Sequence, residues 1–363
     1  MIKEQKMKNK TNYKISQRIE RYYQLNSVIS SLSNKQLKRL FKASEQTNGW
    51  GKNHQLTIQE QAVFVKRVPL TMLEYNKAFS TKNIFKLPSY YNYGVGSAGF
   101  GVFRELLTHI KTSNWVLNKE ITNFPLLYHY RIMKVDNWKK STQKVDEKYI
   151  AYWNGNKNIE KYIKARKNAK YELVLFLEHF PYTLSDWFGK NTHKAVTLLQ
   201  NMKNVSTFLH QKGIIHLDAH FRNLLSDGEQ LYLTDFGLSL DKNFELSKKE
   251  CAFYKQHKNY DLAEYLCSMT GQLVKMYHAL PTKKQAKFKQ FGLEPNLDYH
   301  KQLKILTKNI EAIYKQHLLN IHNDLCQIIK KEKATILYFN KFTFALRTNN
   351  KKDNKFDGKK VKN

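Results

Sequence analysis

The run Ile214-Ile215-His216-Leu217-Asp218-Ala219-His220-Phe221-Arg222-Asn223 is followed, beyond a short connection, by Asp235-Phe236-Gly237. A carboxylate, an amide and a second carboxylate in that order suit one chemistry: moving a phosphoryl group off magnesium-bound ATP. There the protein supplies position and charge rather than covalent steps. Asp218 would accept or orient the proton of the attacking hydroxyl, and Asn223 and Asp235 would ligate Mg2+ through hard oxygens. His220 could donate to the γ-phosphate while protonated. Turn-capping alone explains an Asp or an Asn, but not both spacings.

The flanks read as elements that would hold these groups. Val196, Leu199, Met202, Val205 and Leu209 recur at helical spacing, and Gly213 stands where a helix ends in a left-handed residue. Leu224-Leu225 and Leu231-Tyr232-Leu233 predict two strands around the turn Ser226-Asp227-Gly228. Such a hairpin would carry Asn223 and Asp235 at one end.

From Phe208 to Leu238 the chain resembles the catalytic core of the protein-kinase-like superfamily, and more specifically a bacterial protein-kinase-like family. The resemblance extends more loosely from about Gly49 to about Asp261. It implies an α+β, bilobal protein-kinase-like fold with a β-rich small lobe and a helical large lobe. It also implies ATP and Mg2+ as cofactors and transfer of the γ-phosphate to a hydroxyl, foremost a Ser/Thr hydroxyl of a protein. Two residues depart from the regulated protein kinases. Leu217 replaces the Arg that precedes the catalytic Asp, and His220 stands where Ser/Thr kinases carry Lys. The resulting D-x-H-x-x-N pattern is similar to aminoglycoside and other small-molecule phosphotransferases, and no A-P-E follows Gly237. A small-molecule kinase is therefore the alternative, with a pseudokinase binding module behind it.

A kinase-like small lobe needs a flexible glycine flap and then a strand ending in a Lys that touches phosphates. Gly49 and Gly51 followed by Gln55–Ile58 supply the first, and Val63-Phe64-Val65-Lys66 the second. Lys66 needs a carboxylate from a helix to hold it straight. Glu105, in the helical pattern Val102–Val116, is expected there, with Glu74 as its rival. The run Gly94-Val95-Gly96-Ser97-Ala98-Gly99-Phe100-Gly101 matches G-x-G-x-x-G, but no β-α-β repeat follows to make it a dinucleotide fingerprint. It reads as a flexible link, or as N–H groups open to a phosphate. Glu178-His179-Phe180 follows the strand Glu172–Leu177 and would form the hinge that meets the adenine edge. Asp136–Lys170 reads as a polar, Lys-rich insertion. Asp261 resembles the buried Asp that braces a catalytic loop, or else is an ordinary N-terminal helix acid.

The expected organisation is a helical extension over 1–45, a small lobe over 46–177, a large lobe over 178–346 and a basic tail over 347–363. Within the extension, Ser33 and Gln36 form a capping-box pattern. Ile305–Ile329 reads as long helices, and Met1–Lys10 and Asn349–Asn363 as frayed ends. The 363 residues carry a formal charge of +32. Because the basic residues are scattered, they read as solvated faces, with an acidic partner as the alternative. A nucleic-acid binder rests on charge alone. Three cysteines without a C-x-x-C pair argue for a reducing compartment, and no apolar run is long enough for a membrane span. Cytoplasmic location is the expectation.

Overall fold

Tyr171–Glu178 (β5) is an almost unbroken apolar run, and it is buried on both faces. The computed structural model describes residues 2–44, 46–47, 52–135, 147–348, 351–352 and 354–361, with side chains from residue 13 onward except at 46 and 47. Before β5 come α1 (Ile2–Ser31), α2 (Asn34–Ala43), β1 (Gln46–Thr47), β2 (Lys52–Ile58), β3 (Gln61–Leu70), α3 (Met72–Tyr75), α4 (Val102–Leu117) and β4 (Leu127–Lys134). Five strands form an antiparallel sheet in the order β1-β2-β3-β5-β4.

Strand alternation divides the sheet into two faces. On one, Val68, Leu70, Leu173, Leu175 and Leu177 pack against Val102, Phe103 and Leu106 of α4. On the other, Val63, Val65, Val174 and Phe176 join a core that includes Leu25 and Ile29 of α1 and Leu37 and Phe41 of α2. Each such fully buried side chain contributes about 1.5–3 kcal/mol, so both helical layers hold the sheet. The Ser33–Gln36 capping box starts α2.

The insertion between β4 and β5 contains α5 (Glu147–Tyr152) and α6 (Lys157–Lys167). It is less polar in effect than its composition implies. Trp153 and Tyr162 are fully buried, the one against Tyr91 and the other against Phe85.

After β5 the chain is mainly helical: β6 (Tyr182–Thr183), α7 (Leu184–Trp187), α8 (Ala195–Gln211), β7 (Ile214–Ile215), β8 (Leu224–Ser226), β9 (Leu231–Leu233), β10 (Leu240–Asp241), α9 (Lys248–Gln256) and α10 (Tyr260–His278). Then come α11 (Thr282–Gln285), α12 (Tyr299–Lys308), α13 (Ile310–Lys315), α14 (Asn323–Lys331) and α15 (Lys333–Thr348). Helix α10 is buried nearly all round and packs on α8, α12 and α15, which makes it the post of this region.

Three expectations need correction. Val196 lies outside the α8 stripe, 52% exposed. Ile305–Ile329 is not covered by long helices but by short ones, α12, α13 and α14, broken at Asn309 and again at 316–322. The end of the chain is not frayed where it is described. Phe356 is 2% exposed among His257, Tyr260, Phe339 and Phe342, because one aromatic in a basic tail has an apolar surface to cover. No helix among the described residues is long and apolar enough to cross a membrane.

Candidate active site

The loop from β7 to β8 carries Asp218 and Asn223, and two acids of α10 fix it from below. Asp261 accepts the N–H of His216 through Oδ2 and that of Leu217 through Oδ1, each at 2.8 Å. Glu264 Oε2 accepts the Ala219 N–H at 2.6 Å. Of the two readings of Asp261, the bracing geometry is the one found. Burial outweighs its two backbone N–H donors and pushes Asp261 up to about 6. His216 is neutral in effect: burial depresses it to about 4, its Nε2 donates to Thr234 O at 2.9 Å, and its Nδ1 accepts the Asp218 N–H.

Asp218 faces Asn223 and His220. Asn223 Nδ2 donates to Asp218 Oδ2 at 2.8 Å and to Asp218 O at 3.0 Å, while His220 Nε2 lies 3.5 Å from Asp218 Oδ1. Burial raises the Asp218 carboxyl above its ordinary range, and His220 pulls it back. The β8–β9 hairpin pairs Leu224 with Leu233, so Thr234 N donates to Asn223 O at 3.0 Å. That pairing is what brings Asp235 beside the loop.

Asp235 adopts a left-handed backbone, φ +64°. Phe236 behind it is buried between His109 of α4 and His216, with ring centroids 4.7 and 5.2 Å away. Lys66 of β3 and Glu105 of α4 complete the group. Lys66 Nζ is 2.6 Å from Glu105 Oε1 and 2.8 Å from Asp235 Oδ1. Glu74, the rival, is committed elsewhere: it caps Thr71 and accepts the Val102 N–H at 3.1 Å. Burial opposes the charge on Lys66, but Asp235 and Glu105 outweigh it and raise its pKa. Burial alone would raise Asp235, yet Lys66 holds it at about 2. Glu105, the more buried acid, is raised by burial despite Lys66. One cation thus serves two carboxylates.

These side chains line a cleft of about 470 Å³ together with Ser97, Gly99 and Arg166. The glycine run lies against the β7–β8 loop. A Cβ on Gly94 would overlap Asp218 Oδ1, and Phe100 N donates to Gly237 O at 2.8 Å. Gly96, Gly99 and Gly101 all have positive φ, so the run's path requires glycine there.

Among the described residues, no cluster of three or more His, Cys, Asp or Glu could hold a metal unaided. Asn223 and Asp235 nevertheless fit Mg2+, which takes few protein ligands and fills its sphere with water and phosphate oxygens. With Nδ2 spent on two Asp218 oxygens, the Asn223 amide keeps Oδ1 free as a hard donor. Asp235 stays ionised and its side chain is 39% exposed.

Two expected nucleotide contacts stand differently. Gly49 and Gly51 lie outside the described residues. The Glu178 N–H and carboxylate are engaged within the protein, which leaves the hinge contact to its carbonyl and to His179 and Phe180. The Glu178 N–H donates to Leu126 O at 2.8 Å, and its carboxylate takes Arg18 Nε at 2.9 Å and Nη2 at 2.7 Å. Arg18 comes from α1, and local spacing gives no sign of that partner. His109, Glu264, Ser97 and Arg166 were not singled out in the sequence either. No protein-family model matches the chain, and no curated protein matches it.

Proposed function

We propose that this chain is an ATP-dependent phosphotransferase of the protein-kinase-like superfamily, with a β-rich lobe and a helical lobe enclosing the cleft. The observation that carries this reading is the convergence of Lys66, Glu105, Asp235 and Asp218 on one cleft, with Asn223 hydrogen-bonded to Asp218 behind it. ATP is the expected donor, and a bound Mg2+ held by Asn223 and Asp235 would neutralise phosphate charge.

The protein's own groups divide the work. Lys66, steadied by Glu105, exchanges its Asp235 partner for the non-transferring phosphates. Asp218 takes the proton of the acceptor hydroxyl as its oxygen bonds to the γ-phosphorus and the bond to ADP breaks. Asn223 keeps Asp218 aimed. A buried Asp218 with a raised pKa is a better proton acceptor than a solvated one.

The acceptor is proposed to be a protein Ser/Thr hydroxyl. The second reading, a small-molecule hydroxyl, is favoured by His220 lying beside Asp218. A cytoplasmic location accords with three free cysteines. Labelled-ATP transfer to generic proteins, aminoglycosides and hydroxylated metabolites decides between acceptors. Loss of all transfer in Asp218→Asn tests the assignment itself, and full transfer by that variant would defeat it.

A further inference from the structure

Three arginines are buried in this protein, and one of them lacks an anion. Arg18 is paired with Glu178, and Arg104 with Glu250 at 2.7 Å. Arg166, at the end of α6, is 9% exposed and lines the cleft beside Lys66 and Asp218. Its hydrogen bond is from Nη1 to Tyr162 Oη at 3.0 Å, and among the described residues no carboxylate lies within ion-pair distance of it. The acids whose fields reach it are already engaged: Glu74 by Thr71 and Val102, Glu105 by Lys66. A guanidinium has five donors, and burying it without a counter-charge is costly.

The wall facing it has matching vacancies. Ser97 is 8% exposed, lines the same cleft, and its Oγ has no partner. Among the described residues, the N–H groups of Ser97, Gly99 and Gly101 have no protein acceptor, unlike those of Ala98 and Phe100. Helix α4 begins at Val102, whose own N–H is already taken by Glu74 Oε1 at 3.1 Å, so the open donors are those of the run before it. A guanidinium, a hydroxyl and open N–H groups are the donors that oxyanions require.

We propose that Arg166, with Ser97 and the glycine run, forms an anion site for the terminal phosphoryl group of a nucleoside triphosphate. The identity of the anion rests on the phosphotransferase reading, whereas the site itself rests on the unpaired donors. The insertion before β5 thereby supplies a charge to the cleft from within the chain. Arg166 adds charge-assisted bonds to a group that a triphosphate has and a diphosphate lacks.

The test is calorimetric binding of the triphosphate analogue AMP-PNP and of ADP, with Mg2+, to the full chain. The wild type is expected to prefer AMP-PNP by about 10-fold or more, and Arg166→Gln to shrink that preference to about 2-fold while ADP affinity holds. Arg166→Lys should retain part of it, and Ser97→Ala, whose Oγ bonds nothing, should lose a few-fold of it. Arg166→Gln binding both ligands as the wild type does overturns the proposal. If that variant does not fold, an unchanged preference in Ser97→Ala does so. Should the wild type bind neither nucleotide, the phosphotransferase reading fails. In that case a thermal shift by pyrophosphate, present in wild type and absent in Arg166→Gln, upholds the anion site, and no shift in wild type overturns it.

Discussion

Asp261 Oδ1 accepts the Leu217 N–H at 2.8 Å, and Leu217 holds a backbone φ of +64°. A leucine in that region stores about 1–3 kcal/mol of strain and persists only when its surroundings over-determine it. The strain is used: it turns the next residue, Asp218, into the cleft. Asp261→Ala removes both acceptors and should lower stability by about 3 kcal/mol. It should also lower turnover at least about 100-fold, because Asp218 is no longer aimed. Thermal melts and phosphoryl-transfer rates check this, and a stable variant with wild-type turnover would contradict it.

Arg18 and Glu178 join α1 to the end of β5 as a buried, doubly hydrogen-bonded pair. Breaking such a pair strands the surviving charge and costs about 3–5 kcal/mol. Arg18→Met should therefore destabilise strongly, and adding Glu178→Met should recover a good part of the loss. A denaturant-unfolding double-mutant cycle measures the coupling. Additive effects would mean that the helix is not clamped through this pair.

Four buried histidines set the acid stability. His54, His216 and His257 are depressed by burial to about 4, and His109 to about 3. The unfolded chain binds protons at these rings from about pH 6.5, whereas the folded chain does so only near their depressed values. The stability these rings contribute is therefore full above pH 6.5 and lost as pH falls toward 4, and Asp261, raised to about 6, opposes that loss in the same range. Both His109 nitrogens lack partners, so His109→Phe should cost at most about 1 kcal/mol at pH 7 and flatten the acid limb. An acid limb as steep in His109→Phe as in the wild type would refute this.

The rate should carry the mark of Asp218. Its carboxyl is raised by burial, and a general base works only when unprotonated, so turnover should fall on the acid side at a pH above the ordinary carboxylate range. His220 opposes that rise. His220→Gln should move the acid limb upward and reduce turnover about 100-fold, the lower end of what one positioned group contributes. A pH–rate profile unchanged by the substitution would remove His220 from the mechanism.

Local pattern made part of this site legible. Asp218, Asn223 and Asp235 are separated by a loop and a hairpin, and Lys66 and Glu105 sit on a strand and a helix with clear periodicity. Each could be placed without knowing the fold. Arg166 could not, because it comes from an insertion that reaches the cleft only once Trp153 and Tyr162 are packed. Nor could the position of the glycine run against Asp218, or the capture of Glu178 by an arginine from the first helix. Those are meetings of distant segments, and spacing along the chain carries no signal for them. The tail misled for a related reason: its charge masked Phe356, whose aromatic slot exists only in the folded protein.

If Asp235, held by Lys66 and brought beside the loop of Asn223, serves ATP chemistry, turnover must depend on its carboxylate. Magnesium-dependent ATP turnover by the wild type and by Asp235→Ala tests it most directly. The account predicts turnover in the wild type that requires Mg2+ and falls at least about 1,000-fold in the variant, with the fold intact by melting. Turnover that Asp235→Ala leaves undiminished, or a folded wild type with none, would contradict it.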